Sequence, residues 1–254
     1  MKILPVVKTD NRMLPLAERC KASWDYFHPD IAMHIVRLED WMGYMKYIYN
    51  SPRQGLYCLT TGLFYAIQKM MTEGYDLLIH LDADIIVTGR CDEMFTEDYD
   101  IAVSECANYH ANYNAGVWAS RDMEFIKRFF SDHLISPLED NQLFMSIINE
   151  MRDRKRLKVL DRDGTGVWYN EKSRRWWGKL ELHGDELHTI DTNDSRIIKI
   201  LHWAGGYDWG MIDRLSCSLF SEEVKLWLNK ITGGTTLTDY DGEKFGSWLK
   251  SYYG

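Results

Sequence analysis

The chain has no CxxC pair, little proline, no long apolar run and no excess of positive charge. Its five cysteines (Cys20, Cys58, Cys91, Cys106 and Cys217) are odd in number and widely spaced. That pattern excludes a disulfide framework or a zinc ribbon and predicts reduced, mostly buried thiols. There are 5 prolines in 254 residues, and no Pro-, Gly- or Ser-rich stretch offers a linker, so a single domain is expected. No segment approaches the roughly 18 apolar residues of a membrane helix. Residues 1–8 lack a basic leader followed by a small-residue cleavage site, so a soluble, cytoplasmic protein is expected. Lys and Arg number 30 against 38 Asp and Glu, a net charge of 30 − 38 = −8. This argues against sequence-independent binding of nucleic acid or anionic membrane, whose phosphates are held by clustered cations.

What is present is an ordinary globular composition, 45% hydrophobic and 27% charged, enough for a full core. Residues 3–7 read as a buried first strand, and residues 14–27 carry Leu16, Cys20 and Trp24 at helical spacing. Residues 31–38 alternate as a strand should, and residues 55–73 form a long helical segment that stops at Gly74. Residues 76–81 (DLLIHL) are apolar on both faces and therefore central, and 100–104 (DIAVS) reads as a further strand. Alternating strands and helices predict an α/β fold with a mostly parallel, Rossmann-like sheet flanked by helices, and ligands at the carboxyl ends of its strands. Residues 123–130 and 141–151 read as helices, whereas 168–177 are aromatic and basic without clear period.

The sharpest chemical signal is Asp82-Ala83-Asp84, which ends the DLLIHL strand. An unpaired buried carboxylate costs several kcal/mol, so two at the end of a buried strand require a cation or strong hydrogen bonds. Hard oxygen ligands one residue apart suit Mg²⁺ or Mn²⁺. Such an ion would bridge a diphosphate and neutralise charge on it as a leaving group. The competing local reading is a turn or cap built on aspartate.

LLIHLDADIIV, then YNAGVW (113–118), EDNQLF (139–144) and LHWAGG (201–206) resemble, in that order, blocks of nucleotide-sugar glycosyltransferases of the GT-A fold. They are most similar to the retaining enzymes related to glycogenin and to the bacterial lipopolysaccharide galactosyltransferases. The resemblance covers roughly residues 1–210 and implies a single GT-A domain over 1–254. Residues 1–105 would bind the nucleotide sugar and 106–215 the acceptor, with 216–254 as a C-terminal extension. It implies that Asp82 and Asp84 hold Mn²⁺ (or Mg²⁺) against the donor diphosphate, with Ala83 beside the donor, and that His202 is the third metal ligand. Against this, His202 between Leu201 and Trp203 reads equally as a core histidine. Gly205 and Gly206 would let the backbone approach a phosphate. The family's nearby lysine is replaced by Tyr207, Asp208 and Trp209, leaving Lys8, Arg12, Lys46 or Arg53 as phosphate contacts.

Asn114 matches an asparagine beside the transferred sugar, although Gly116 in the same block also fits a simple bulge. Asp140 and Gln142 match sugar-contacting residues of retaining relatives. Glu139 or Asp140 would instead supply the general base of an inverting enzyme, and Asp140 also suits a helix N-cap. The expected activity is transfer of a sugar from a nucleotide-diphosphate sugar, UDP-linked by family habit, to a hydroxyl of a carbohydrate or glycoconjugate. Two alternatives compete. Asp-x-Asp after an apolar strand also resembles haloacid-dehalogenase-like phosphatases, but about eighty residues precede it here and Ile86 stands where Thr or Val is usual. Ten tryptophans, several in the second half, would suit a non-catalytic carbohydrate-binding protein.

Overall fold

The computed structural model describes residues 1–11, 13–41, 54–105, 113–136, 138, 140–160, 169–170, 179–190, 197–202 and 221–234. β1 (Ile3–Thr9), β2 (His34–Arg37) and β3 (Leu77–Leu81) are parallel, with β1 in the middle. The crossovers run through α1 (Leu14–Phe27) and α2 (Gln54–Glu73). Among the described residues the central sheet has the order β2-β1-β3-β6-β5-β7, with β5 at Ile101–Glu105, β6 at Tyr113–Ser120 and β7 at Leu157–Val159. β6 is antiparallel to both of its neighbours, and β5 and β7 are parallel to each other. The sheet is therefore mostly parallel, as the alternation of elements predicts.

The two faces of the sheet sort their side chains by the two-residue period of a strand. Leu77, Ile79 and Leu81 of β3 enter one core with α1 and α6 (Glu222–Ile231), while Leu78, with Leu4 and Val6 of β1, enters the other. The second core holds α2, α4 (Met123–Ile135) and α5 (Asp140–Met151). There Trp118 of β6 packs against Phe125, Phe129 and Phe144. Because both faces are covered, β3 is buried at every position, which is why it reads as a continuous apolar run. Helix α4 is capped by Asp122, whose carboxylate accepts from the Glu124 and Phe125 N–H groups, and α6 by Ser221, which accepts from Val224.

A short helix α3 (Glu93–Thr96) follows β4 (Ile85–Val87). A second, smaller sheet has the order β4-β12-β8, formed by Ile85–Val87, Ile200–His202 and Tyr169–Asn170. These strands are two or three residues long, too short for any periodicity to show in the sequence. A third sheet pairs β9 (Lys179–His183), β10 (Glu186–Ile190) and β11 (Ile197–Ile198). Among the described residues no helix is long and apolar enough to cross a membrane.

Where α1 ends, His28 is nearly inaccessible, lies against Trp24 at 4.4 Å between ring centroids, and accepts a hydrogen bond on Nε2 from the Cys91 N–H at 3.1 Å. Burial and then the Arg90 charge lower its pKa to about 4. Protonation would replace the acceptor with a donor facing another donor. With the folded pKa below the unfolded value, the unfolded chain binds more protons between about pH 6.5 and 4. Stability is therefore full above that window and falls within it as the pH drops, by roughly 1–3 kcal/mol from this group. Thermal unfolding followed from pH 7.5 to 4 checks this, and His28→Gln, which retains a side-chain acceptor, is expected to flatten the slope.

Candidate metal and sugar site

The site forms where β3 ends and the chain turns into β4. Asp82 follows the last residue of β3, and Asp84 immediately precedes β4. β12 pairs antiparallel with β4 so that His202 lies opposite Ile85, beside Asp84. This register is held at the other end by Thr88, whose N–H donates to the Lys199 carbonyl at 2.8 Å and whose hydroxyl donates to the Ile198 carbonyl at 2.7 Å. Strand pairing thus closes the 118-residue gap between positions 84 and 202.

His202 Nε2 lies 3.6 Å from Asp82 Oδ2 and 3.4 Å from Asp84 Oδ1. One ligand atom from each of the three residues falls within 4.8 Å of the others. Neither ring nitrogen of the buried His202 makes a hydrogen bond of good geometry among the described residues, and Nε2 faces the two carboxylates. Adjacent ligands around an octahedral ion at about 2.1 Å sit about 3 Å apart, close to the spacing seen. Two carboxylates and an imidazole also make a donor set suited to Mn²⁺, so the residues fit the ion. Burial alone would lower the pKa of His202, but Asp84 and Asp82 outweigh it and raise it to about 9. A proton on the imidazole thus balances the carboxylates, a charge that a divalent cation would replace.

Gly116 leaves the room this trio needs. A Cβ at that position would stand 2.3 Å from Asp82 Oδ2, 2.7 Å from His202 Cε1 and 2.8 Å from Asn114 Oδ1. The strand bulges to bring the glycine there: Val103 pairs with Trp118, but Ser104 pairs with Asn114, so β6 carries extra residues at 115–117. Their polar groups are satisfied locally. The Gly116 carbonyl accepts from Asp82 N–H at 2.8 Å, the Gly116 N–H donates to Asn114 Oδ1 at 2.6 Å, and the Ala115 N–H donates to Asn141 Oδ1 at 2.8 Å. Asn114 is thereby fixed beside the trio.

Lys8, near the end of β1, places Nζ 2.9 Å from Asp82 Oδ1 with its side chain only 13% exposed. Burial opposes its charge, yet Asp82 and Asp140 outweigh burial and raise its pKa. For Asp82 burial also works against ionisation, but Lys8 and His202 hold the carboxyl well below the usual range. One oxygen of Asp82 therefore faces the lysine and the other faces His202. Under this layer His80 stacks on Trp118 at 5.0 Å and 14°. Burial and Lys8 lower its pKa to about 3, and neither ring nitrogen has a hydrogen-bond partner among the described residues.

Asp140 is the first residue of α5, and its Oδ1 accepts from His133 Nε2 at 2.8 Å. Gln142 lies in the same turn, half-buried. The structure thus brings Lys8, Asp82, Asp84, Asn114 and His202 together, with Asp140 close enough to influence Lys8 electrostatically. No described contact joins Gln142 to them. Ala83 turns its side chain into the apolar core. Glu139, Gly205 and Gly206, with Arg12, Lys46 and Arg53, lie outside the described residues. The steric role of Gly116 and the contacts made by His133 and Asn141 escaped sequence reasoning. A signal for His133 exists: it falls on the apolar stripe of α4 with Phe125 and Phe129, where a polar side chain calls for a partner.

No protein-family model matches the sequence, and no curated protein does. Among solved structures, the chain is similar to a glycosyltransferase involved in glycosylation of the major capsid of PBCV-1. The TM-score is 0.53 at 10% identity, over 80% of this chain and 95% of that one. It is also similar to the galactosyltransferase LgtC in complex with donor and acceptor sugar analogues, with a TM-score of 0.51 at 12% identity, over 92% of this chain and 97% of that one. This chain therefore has the α/β fold of the GT-A glycosyltransferases, built on a mostly parallel six-stranded sheet flanked by helices.

Proposed function

We propose that the protein is a metal-dependent glycosyltransferase that moves a sugar from a nucleotide-diphosphate sugar, UDP-linked in our reading, to a hydroxyl of a carbohydrate or glycoconjugate. The observation that carries this is the convergence of Asp82, Asp84 and His202 on one point, with glycine facing them where any side chain would intrude. The fold, shared with glycosyltransferases, supports it and gives no support to the phosphatase alternative. A carbohydrate-binding protein would gain nothing from a cation site suited to a diphosphate.

Asp82, Asp84 and His202 would hold Mn²⁺ or Mg²⁺, which when bound neutralises charge on a departing diphosphate. The remaining work falls to the chain's own groups. Lys8 pins one oxygen of Asp82 while the other faces His202, and it would add positive charge at the donor end. Gly205 and Gly206 offer backbone N–H groups to the diphosphate. Asn114, Asp140 and Gln142 bind the hydroxyls of the transferred sugar. The acceptor oxygen bonds to the anomeric carbon, the bond from that carbon to the diphosphate oxygen breaks, and the diphosphate takes the electron pair. The acceptor proton goes to Glu139 or Asp140 in an inverting course and to the departing diphosphate oxygen in a retaining one. Nucleotide-sugar binding is assigned chiefly to residues 1–105 and acceptor binding to 106–215, with Asn114 and His202 crossing over to the donor. Residues 216–254 form an extension, and the setting is cytoplasmic.

The test is a panel of nucleotide sugars incubated with and without Mn²⁺, with NMR of the released sugar. Hydrolysis or transfer of one donor that stops with chelator is expected, and the product anomer assigns the stereochemical course. Release of phosphate from simple phosphoesters, with no nucleotide sugar consumed, would overturn the reading.

A further inference from the structure

The function proposed above gives Asp140 work at the sugar but does not say what aims its carboxylate. The fold brings three helices together at this point. Thr60 lies on α2, His133 near the end of α4, and Asp140 opens α5. His133 Nδ1 is 2.8 Å from Thr60 Oγ1, and His133 Nε2 is 2.8 Å from Asp140 Oδ1. The imidazole is only 1% exposed, whereas the Asp140 side chain is 33% exposed and opens outward.

An ionised carboxylate only accepts, so Nε2 carries a proton towards Asp140. In the neutral ring Nδ1 is then the acceptor of the Thr60 hydroxyl proton. The aspartate thus selects the tautomer, and the threonine hydroxyl holds the ring from its other nitrogen, so that one oxygen of the aspartate is fixed. Among the described residues no hydrogen bond reaches the other oxygen, Oδ2. A buried polar line of this kind is a poor way to stabilise a helix pair, since apolar groups of the same shape would serve as well. The line ends beside the site already described: Lys8 feels the charge of Asp140 and contacts Asp82 at 2.9 Å.

We propose that His133 is a positioning residue: oriented by Thr60, it holds one oxygen of Asp140 so that the other meets a hydroxyl of the sugar or the acceptor. This rests on the transferase reading. Freed from His133, a carboxylate in the first turn of a helix samples several rotamers. Misplacement of a reacting group by an ångström can cost about a hundredfold in rate.

The experiment is a double-mutant cycle measured with the donor that the wild-type enzyme turns over in Mn²⁺. His133→Phe is expected to lower kcat by about ten- to a hundredfold, with the donor KM changed less than about threefold. His133→Gln, which keeps a donor near Nε2, is expected to restore most of the loss, and Thr60→Val to show a smaller loss of the same kind. In an Asp140→Asn background His133→Phe is expected to cost less than about twofold more. Equal losses in both backgrounds, failure of Gln to rescue, or an unchanged kcat would overturn the role of His133 while leaving the transferase reading intact. Full activity of Asp140→Asn would do the same. If His133→Phe does not fold, Thr60→Val and His133→Gln carry the test. A wild-type enzyme that consumes no nucleotide sugar defeats the transferase reading itself, and this inference with it.

Discussion

Asp84→Asn is expected to leave a folded protein whose Mn²⁺-dependent sugar transfer is lower by about a thousandfold or more, because neutralisation of the leaving group is worth several kcal/mol. The substitution preserves shape and removes one negative charge from a trio whose members lie 3.4 to 3.6 Å from His202 Nε2. Asp84 is the cleaner target of the two aspartates, since Asp82 also balances Lys8 at 2.9 Å. Removing the charge of Asp82 would strand a largely enclosed lysine and mix a loss of stability with a loss of function. Initial rates at saturating Mn²⁺, with circular dichroism to confirm the fold, check the prediction. Wild-type rates in Asp84→Asn would remove the reason for reading the trio as a metal site.

Gly116→Ala is expected to cause the second-largest loss of activity, from a single added methyl group. Its Cβ would lie 2.3 Å from Asp82 Oδ2, so the carboxylate must rotate away, and His202 and Asn114 are crowded by the same atom. The atoms in the way are side-chain termini, so the fold survives at a cost of about 1–3 kcal/mol in overpacking. The ligand geometry does not. A drop in Mn²⁺-dependent transfer of at least about a hundredfold is expected, with Mn²⁺ affinity weakened in parallel. A glycine that was not needed for the room it leaves would behave otherwise. Gly116 does not adopt a positive φ, so alanine would then be tolerated and activity kept.

The legible parts of the fold and site are those where burial and chemistry conflict. β3 announces itself because both faces are covered, and two aspartates at the end of such a strand demand compensation. The helices over α1, α2 and α5 follow from apolar spacing. The helix read over 123–130 runs on to Ile135, and that final turn carries His133. His202 needed the resemblance, because a histidine flanked by apolar residues is ambiguous until β12 pairs with β4. The small sheet could not be read, its strands being two or three residues long. Nor could the line from Thr60 through His133 to Asp140, which joins three helices by contacts between residues up to 73 positions apart. No spacing rule connects them; the packing of α2 on α4 does. The bulge read at Gly116 is present in β6, and what the sequence could not show is that it presents the glycine to the carboxylates.

All of this depends on one cation held by Asp82, Asp84 and His202. Titration of the full chain with Mn²⁺ in the presence of a nucleoside diphosphate, followed by the electron paramagnetic resonance signal of the free ion, addresses that directly. One bound ion per chain is expected in the wild type, with binding lost in Asp84→Asn, weakened in Gly116→Ala and retained in His133→Gln. Equal Mn²⁺ binding by the wild type and Asp84→Asn would contradict the account.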